Sequence, residues 1–147
     1  MIARLAIEVF SLLGVTVGLA CATWMVSGGP RQEVGCHSAE LKPGYLCFED
    51  ALKLSNVVWV DARTRELWQK NGYPNSVLLT DHPSEDFPSL MAEAFESLVT
   101  ADSVVVYCAT EGCGSSEPVA AQIRELDLIP AAQIYVLAGG WKALPQK

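Results

Sequence analysis

Basic residues are scarce in this chain: ten Lys and Arg stand against seventeen Asp and Glu, a net charge of −7 over 147 residues. No run of cations offsets that sum, which excludes a nucleic-acid-binding role resting on backbone phosphates. Histidine is equally sparse. His37 and His82 lie in polar, turn-like contexts and read as solvated loop residues rather than general bases. Charged residues make up only 18 % of the chain while apolar ones reach 50 %, a balance that excludes disorder. Neither internal repeats nor low-complexity tracts occur, and the length suits one domain plus a short appendage.

The apolar excess lies at the N-terminus. From Leu5 to Val26 only Glu8, Ser11, Thr16 and Thr23 interrupt a run long enough to cross roughly 30 Å of hydrocarbon as a helix. Two readings stand for residues 1–27. A single-pass anchor is favoured because Trp24, Met25 and Val26 prolong the run past Ala20-Cys21-Ala22; a cleaved signal peptide would use that triplet as its A-x-A site and Arg4 as its positive n-region. Both send the C-terminal domain across the membrane, as a tethered or an exported soluble protein. Gly28-Gly29-Pro30 then breaks the helix. Residues 28–44 read as a polar, turn-rich linker and residues 45–147 as the domain.

Beyond Cys21, four cysteines remain: Cys36, Cys47, Cys108 and Cys113. In an oxidising compartment Cys36 and Cys47 are the most local candidate for a structural bridge, closing a loop around Lys42-Pro43-Gly44; alternatively Cys47, within Tyr45-Leu46-Cys47-Phe48, is simply a buried strand cysteine.

The domain alternates short apolar runs with helical patterns. Strands are expected near Leu46–Phe48, Val57–Val60, Val77–Leu79, Val104–Tyr107 and Ile134–Leu137, and short helices near Glu49–Leu54 and Glu66–Lys70. Phe87, Leu90, Met91, Ala94, Phe95 and Leu98 recur at helical spacing and predict one apolar helix face. Ser115 and Ser116 offer N-cap oxygens before a helix from about Pro118 to Leu126, with Val119, Ala120, Ile123 and Leu126 inward. This order predicts a three-layer α/β domain with a mainly parallel sheet.

Ligands of open parallel sheets bind beyond the carboxyl ends of the strands, and Cys108 is placed there. It follows the apolar Val104–Tyr107 run and opens the loop Ala109, Thr110, Glu111, Gly112, Cys113, Gly114, Ser115, with Ser116 leading into the helix. Loop N–H groups and a helix N-terminus nearby favour a thiolate, the nucleophilic form. The bland reading is an inert packed cysteine.

These residues resemble the rhodanese-like domains. Val60-Asp61-Ala62-Arg63 is similar to the family's apolar-Asp-x-Arg strand end, Glu66 to its following acidic residue, and Gly72-Tyr73-Pro74-Asn75-Ser76-Val77 to a shortened form of its Gly-His-Ile-Pro-Gly-Ala turn. Val106-Tyr107-Cys108, Ser116-x-x-Val119-Ala120-x-x-Ile123 and Tyr135-x-Leu137-x-Gly139-Gly140-Trp141 resemble the strand into the active cysteine, the helix after it and the closing signature. The resemblance implies a five-stranded parallel sheet and a sulfurtransferase or persulfide carrier. Its Cys108 thiolate takes the outer sulfur of a small donor and yields it to a thiol or protein acceptor, with no metal or organic cofactor. Asp61 and Arg63 become supporting residues, an ion pair tying the strand end to a neighbouring loop, against the alternative of two unpaired surface charges.

Two departures from the family pattern stand out. Seven residues separate Cys108 from Ser116 where about five are usual, and none is basic, so Glu111 and Glu117 would face a thiosulfate dianion. Gly114 sits six beyond Cys108, where a Cys-x5-Arg phosphatase needs its arginine. The second departure is Cys113 in the loop, which reads as a resolving thiol, a structural staple or an unpaired thiol. Cys-x4-Cys lacks further ligands of suitable spacing, so no metal is expected. Alternative functions are therefore a thiol-disulfide redox module of Cys108 and Cys113, or a rhodanese-like fold that only binds a partner through its acidic loop.

Overall fold

In the computed structural model the described residues are 36–109 and 114–145, so the apolar N-terminal segment and Thr110, Glu111, Gly112 and Cys113 lie outside them. The chain divides into two units, Met1–Gly35 and Cys36–Lys147, and the second carries everything below. No helix among the described residues is long and apolar enough to cross a membrane.

The sheet forms where the sequence offers continuous apolar runs. Strands β1 (Tyr45–Leu46), β2 (Val57–Asp61), β3 (Val77–Leu78), β4 (Ser103–Tyr107) and β5 (Ile134–Leu137) assemble in the order β1-β5-β4-β2-β3, every pair parallel. Central β4 is buried along its whole length, as expected when both faces of a parallel sheet are covered. Alternate side chains of β4 serve different layers. Val104 and Val106 join Val60, Leu90, Leu98 and Ile123 on one face, while Val105 and Tyr107 join Trp59, Leu137 and Leu144 on the other.

Four helices are described: α1 (Phe48–Ala51), α2 (Arg65–Asn71), α3 (Phe87–Val99) and α4 (Ser116–Glu125). Asp86 caps α3, its carboxylate accepting from Ser89 N at 3.2 Å, and Pro88 sits in the first turn where its missing N–H costs nothing. The apolar face of α3 is narrower than the six-residue pattern predicts. Leu90, Ala94 and Leu98 form the buried row, whereas Phe87, Met91 and Phe95 form a neighbouring row rotated by about 60°, which is half-buried at its start and leaves the core at Phe95. Leu126, expected inward, is likewise exposed where α4 ends. That helix begins at Ser116, two residues earlier than expected, because Pro118 is tolerated within a first turn.

The final part of the expected linker is fastened to the domain. A disulfide joins Cys36 to Cys47 across a separation of eleven residues; Cys47 is buried, but at the N-cap of α1 rather than within a strand. Gly44 makes the intervening turn at a φ of +85°, a conformation open to glycine. Closing a loop of this size removes unfolded-state entropy worth about 3 kcal/mol. Cys36 is exposed, so Cys36→Ser perturbs little else. We expect it to lower the unfolding free energy in urea by about 2–3 kcal/mol; a loss below about 0.5 kcal/mol would mean that the bridge adds nothing to stability.

Candidate active site

Strand β4 delivers Cys108 to the carboxyl end of the sheet. Its neighbour Tyr107 pairs in register with Asp61 of β2, and Tyr107 O accepts from Ala62 N at 2.8 Å just beyond the ladder. One residue on, Cys108 O accepts from Trp141 N at 2.6 Å. The chain is thus held at Tyr107 by the residue after β2 and at Cys108 by the turn after β5 as it leaves the sheet. Cys108 is almost fully buried against the face that includes Val106 and Val119, and it is disulfide-bonded. Ala109 is exposed, Gly114 and Ser115 form a turn, and Ser116 is buried as the first residue of α4. Ser115 occupies the N-cap position with helical backbone angles, and its side chain makes no capping hydrogen bond. Neither serine therefore caps α4 in the manner the sequence suggested; the backbone already follows the helix at Ser115, and Ser115 O accepts from Val119 N.

Beside the cysteine lies a buried ionic knot. The Asp61 carboxylate is wholly enclosed and receives Arg63 Nε at 2.9 Å, Arg63 Nη2 at 2.7 Å and the Arg63 backbone N–H at 3.0 Å. The expected pairing of these residues is thus present. Arg63 also reaches the neighbouring loop, donating from Nη1 to Asn71 Oδ1 at 3.1 Å. Its guanidinium carbon lies 5.1 Å from the Trp141 ring centre and 5.6 Å from that of Tyr107, within range of cation–π attraction. Tyr107 completes the knot. Its hydroxyl donates to Asp61 Oδ2 at 2.8 Å and accepts from Tyr73 N at 2.9 Å. Burial first, and then the charge of Asp61, push the phenol well above its ordinary value, so it stays a donor. Nothing in the sequence pointed to Tyr107, Asn71 or Trp141 as members of this group; a tyrosine ending an otherwise aliphatic strand beside an aspartate was the available signal.

Other expected site residues fall apart from this centre or outside the description. Glu111 and Cys113 lie beyond the described residues. Glu117, exposed at the start of α4, accepts a hydrogen bond from the Tyr45 hydroxyl. His37 and His82 are exposed, and His82 Nδ1 lies 2.8 Å from Ser84 Oγ. Among the described residues no group of three His, Cys, Asp or Glu could hold a metal. A cleft of about 450 Å³ opens between the end of α2 and the C-terminal turn, lined by Lys70, Asn71, Tyr73, Pro74, Trp141 and others.

The strand order, the buried Asp-x-Arg pair and the cysteine at the β4 exit agree with one family, and the Rhodanese-like domain matches residues 47–147. The chain belongs to the rhodanese-like domain family. Comparison with curated proteins gives no match. Among solved structures, the rhodanese-like domain is similar to the N-terminal domain of a Clostridium difficile 630 protein named for ATP/GTP binding. The identity is 23 %, with a TM-score of 0.54, over 67 % of this chain and 94 % of that one. A Bacillus halodurans protein covers the same share of this chain and 68 % of its own at 14 % identity and a TM-score of 0.49. A Rhodopseudomonas palustris protein, named a possible tyrosine phosphatase, matches 67 % of this chain and 76 % of its own at 24 % identity and a TM-score of 0.44. These likenesses concern the fold of the rhodanese-like domain alone.

Proposed function

We propose that this rhodanese-like domain is a sulfurtransferase or persulfide carrier with Cys108 as the accepting residue. The observation that carries the reading is the position of Cys108, held at the carboxyl end of β4 by Trp141 N and followed by a loop into α4. A dithiol reductant first opens the Cys108 disulfide and is itself oxidised. The Cys108 thiolate then attacks the outer sulfur of a donor; the donor's sulfur–sulfur bond breaks, and its inner part leaves with the electron pair. With thiosulfate the leaving group is sulfite, and with a polysulfide it is the chain shortened by one sulfur. The resulting persulfide anion is stabilised by backbone N–H donors and the helix terminus. A nucleophilic acceptor, a thiolate on a small molecule or protein, takes the outer sulfur and returns Cys108 as thiolate. The supporting Asp61–Arg63 pair fixes the strand end that carries this chemistry and forms no bond to the donor.

The loop from Ala109 through Thr110, Glu111, Gly112, Gly114 and Ser115 to Ser116 supplies no cation, so a polysulfide loads the domain faster than thiosulfate. The disulfide at Cys108 favours a second reading, a thiol-disulfide redox module in which Cys113 is the resolving partner. The Cys36–Cys47 bridge supports an oxidising, extracytoplasmic location, reached through the N-terminal segment as anchor or signal.

Intact-mass spectrometry of the dithiol-reduced chain, incubated with thiosulfate or polysulfide, tests the proposal. The expected result is a gain of one sulfur atom that cyanide removes as thiocyanate. A loss of two hydrogens that peptide mapping places on Cys108 rather than on the Cys36–Cys47 bridge, with no sulfur gained, replaces it with the redox module, and no change with either donor replaces it with a binding role.

A further inference from the structure

Strand β1 holds one border of the sheet with few resources of its own. It has two residues, Tyr45 and Leu46, both half-buried, and its partner in the sheet is β5. Val136 N donates to Gly44 O at 2.8 Å and Ala138 N to Leu46 O at 3.0 Å, so the protection of these two amides depends on β1 staying in place. The chain before it, from Cys36 to Gly44, buries no side chain. Such an edge frays readily unless something fastens it. The Cys36–Cys47 bridge does so: with the bridge closed, residues 37–46 belong to a ring pinned at buried Cys47, and a detached β1 has only the freedom of that ring. The two ends of the bridge differ. Cys36 is exposed and Cys47 only 2 % exposed, so an incoming thiolate meets Cys36 first. Ser38 Oγ lies 3.6 Å from Cys47 Sγ, close enough to donate to that sulfur as it leaves.

We infer that the Cys36–Cys47 bridge is a redox latch: a thiol of the surroundings opens it through Cys36, and its opening lets β1 leave the border of the sheet. A thiolate attacks Cys36 Sγ, the Cys36–Cys47 bond breaks, and Cys47 takes the electron pair as a thiolate that then gains a proton from water. Cys36 is left in a mixed disulfide with the attacking thiol. A second thiolate cleaves that mixed disulfide, so that both protein cysteines are reduced and the two external thiols are joined as a disulfide. The fold also transmits the state of the latch. The Tyr45 hydroxyl donates to Glu117 in the first turn of α4, so departure of β1 unties the start of the helix that follows Cys108. It leaves Val136 N and Ala138 N without their acceptors as well. The latch goes beyond sulfur transfer and operates whether or not Cys108 carries sulfur.

Two measurements on the full chain test the latch. Native, oxidised protein is treated with millimolar glutathione, quenched in acid and digested, and the peptides are weighed. The expected product carries glutathione on Cys36 and a free thiol at Cys47. A bridge left intact, or glutathione on Cys47, overturns the inference. Amide hydrogen exchange, read residue by residue by NMR, tests the strand. In Cys36→Ser, exchange at Val136 and Ala138 is expected to quicken at least about tenfold more than at Val105 and Val106 of the central strand. Cys47→Ala opens the same bridge from its other end and gives the same pattern. Equal acceleration at all four amides means a global loss of stability and defeats the latch, as does rapid exchange of Val136 and Ala138 in the parent protein. Where either variant fails to fold, the glutathione-treated parent is read in its place.

Discussion

Replacing Arg63 with alanine is expected to lower the stability of the domain by about 3–5 kcal/mol. The size follows from what the change leaves behind. Asp61 is wholly enclosed, and Arg63 Nε and Nη2 approach its two oxygens at 2.9 and 2.7 Å. Without the guanidinium, a buried carboxylate keeps only the Tyr107 hydroxyl and the backbone N–H of residue 63 as donors. An uncompensated charge in the interior costs several times more than the lost side-chain packing. The cation–π contacts with Tyr107 and Trp141 disappear as well. For a domain of this size the loss corresponds to a fall of roughly 10–25 °C in the thermal midpoint. Adding Asp61→Asn should recover part of it, because the stranded charge is then gone while Tyr107 still finds a partner. A thermal midpoint within a few degrees of the parent would mean that water reaches Asp61 in the variant and that the knot matters little.

Cys108→Ser is expected to abolish sulfur gain from every donor. A serine hydroxyl is not ionised near neutral pH and forms no persulfide, so no alternative chemistry is open at that position. The variant also removes the Cys108 disulfide and places a hydroxyl in an almost fully buried site, which costs on the order of 1–3 kcal/mol. Cys108→Ala separates the two effects, since it lacks the thiol without burying a hydroxyl. Both variants should remain folded by circular dichroism and stay at the parent mass after polysulfide treatment. Cyanide-labile sulfur persisting in either one would place the carrier on another cysteine and defeat the assignment.

The sequence reveals the scaffold more readily than the links that hold the site. The Val104–Val106 run announces a buried parallel strand because both its faces must be covered, and the Leu90, Ala94, Leu98 row announces α3 because its spacing matches the helix repeat. Cys108 is legible for the same reason: it follows such a strand directly. The attachment of the end of the expected linker is harder to see. The run from Cys36 to Gly44 buries no side chain of its own and is held to the domain by the disulfide and by hydrogen bonds from Ser38 to Asp50 and from Val136 N to Gly44 O, none of which local patterning can display. Asn71 is harder still. Its backbone oxygen receives the Trp141 indole, and every residue type offers that acceptor, so no residue identity signals the contact. Trp141 belongs to a recognisable closing signature, but its hold on Cys108 depends on a left-handed glycine pair and on the meeting of two loops distant in sequence.

The sheet's two outermost strands, β1 and β3, each contain only two residues. A strand exposed at a sheet border offers unpaired backbone groups on which another chain can template itself. Here the long apolar strands β2 and β4 are interior, each paired on both sides, and the borders are too brief to seed an intermolecular ladder. On one side the chain runs from β1 directly into the Cys36–Cys47 bridge at Cys47, which fixes the strand's end covalently. The longest apolar strands of the domain are thereby kept out of reach of neighbouring molecules for as long as the fold persists.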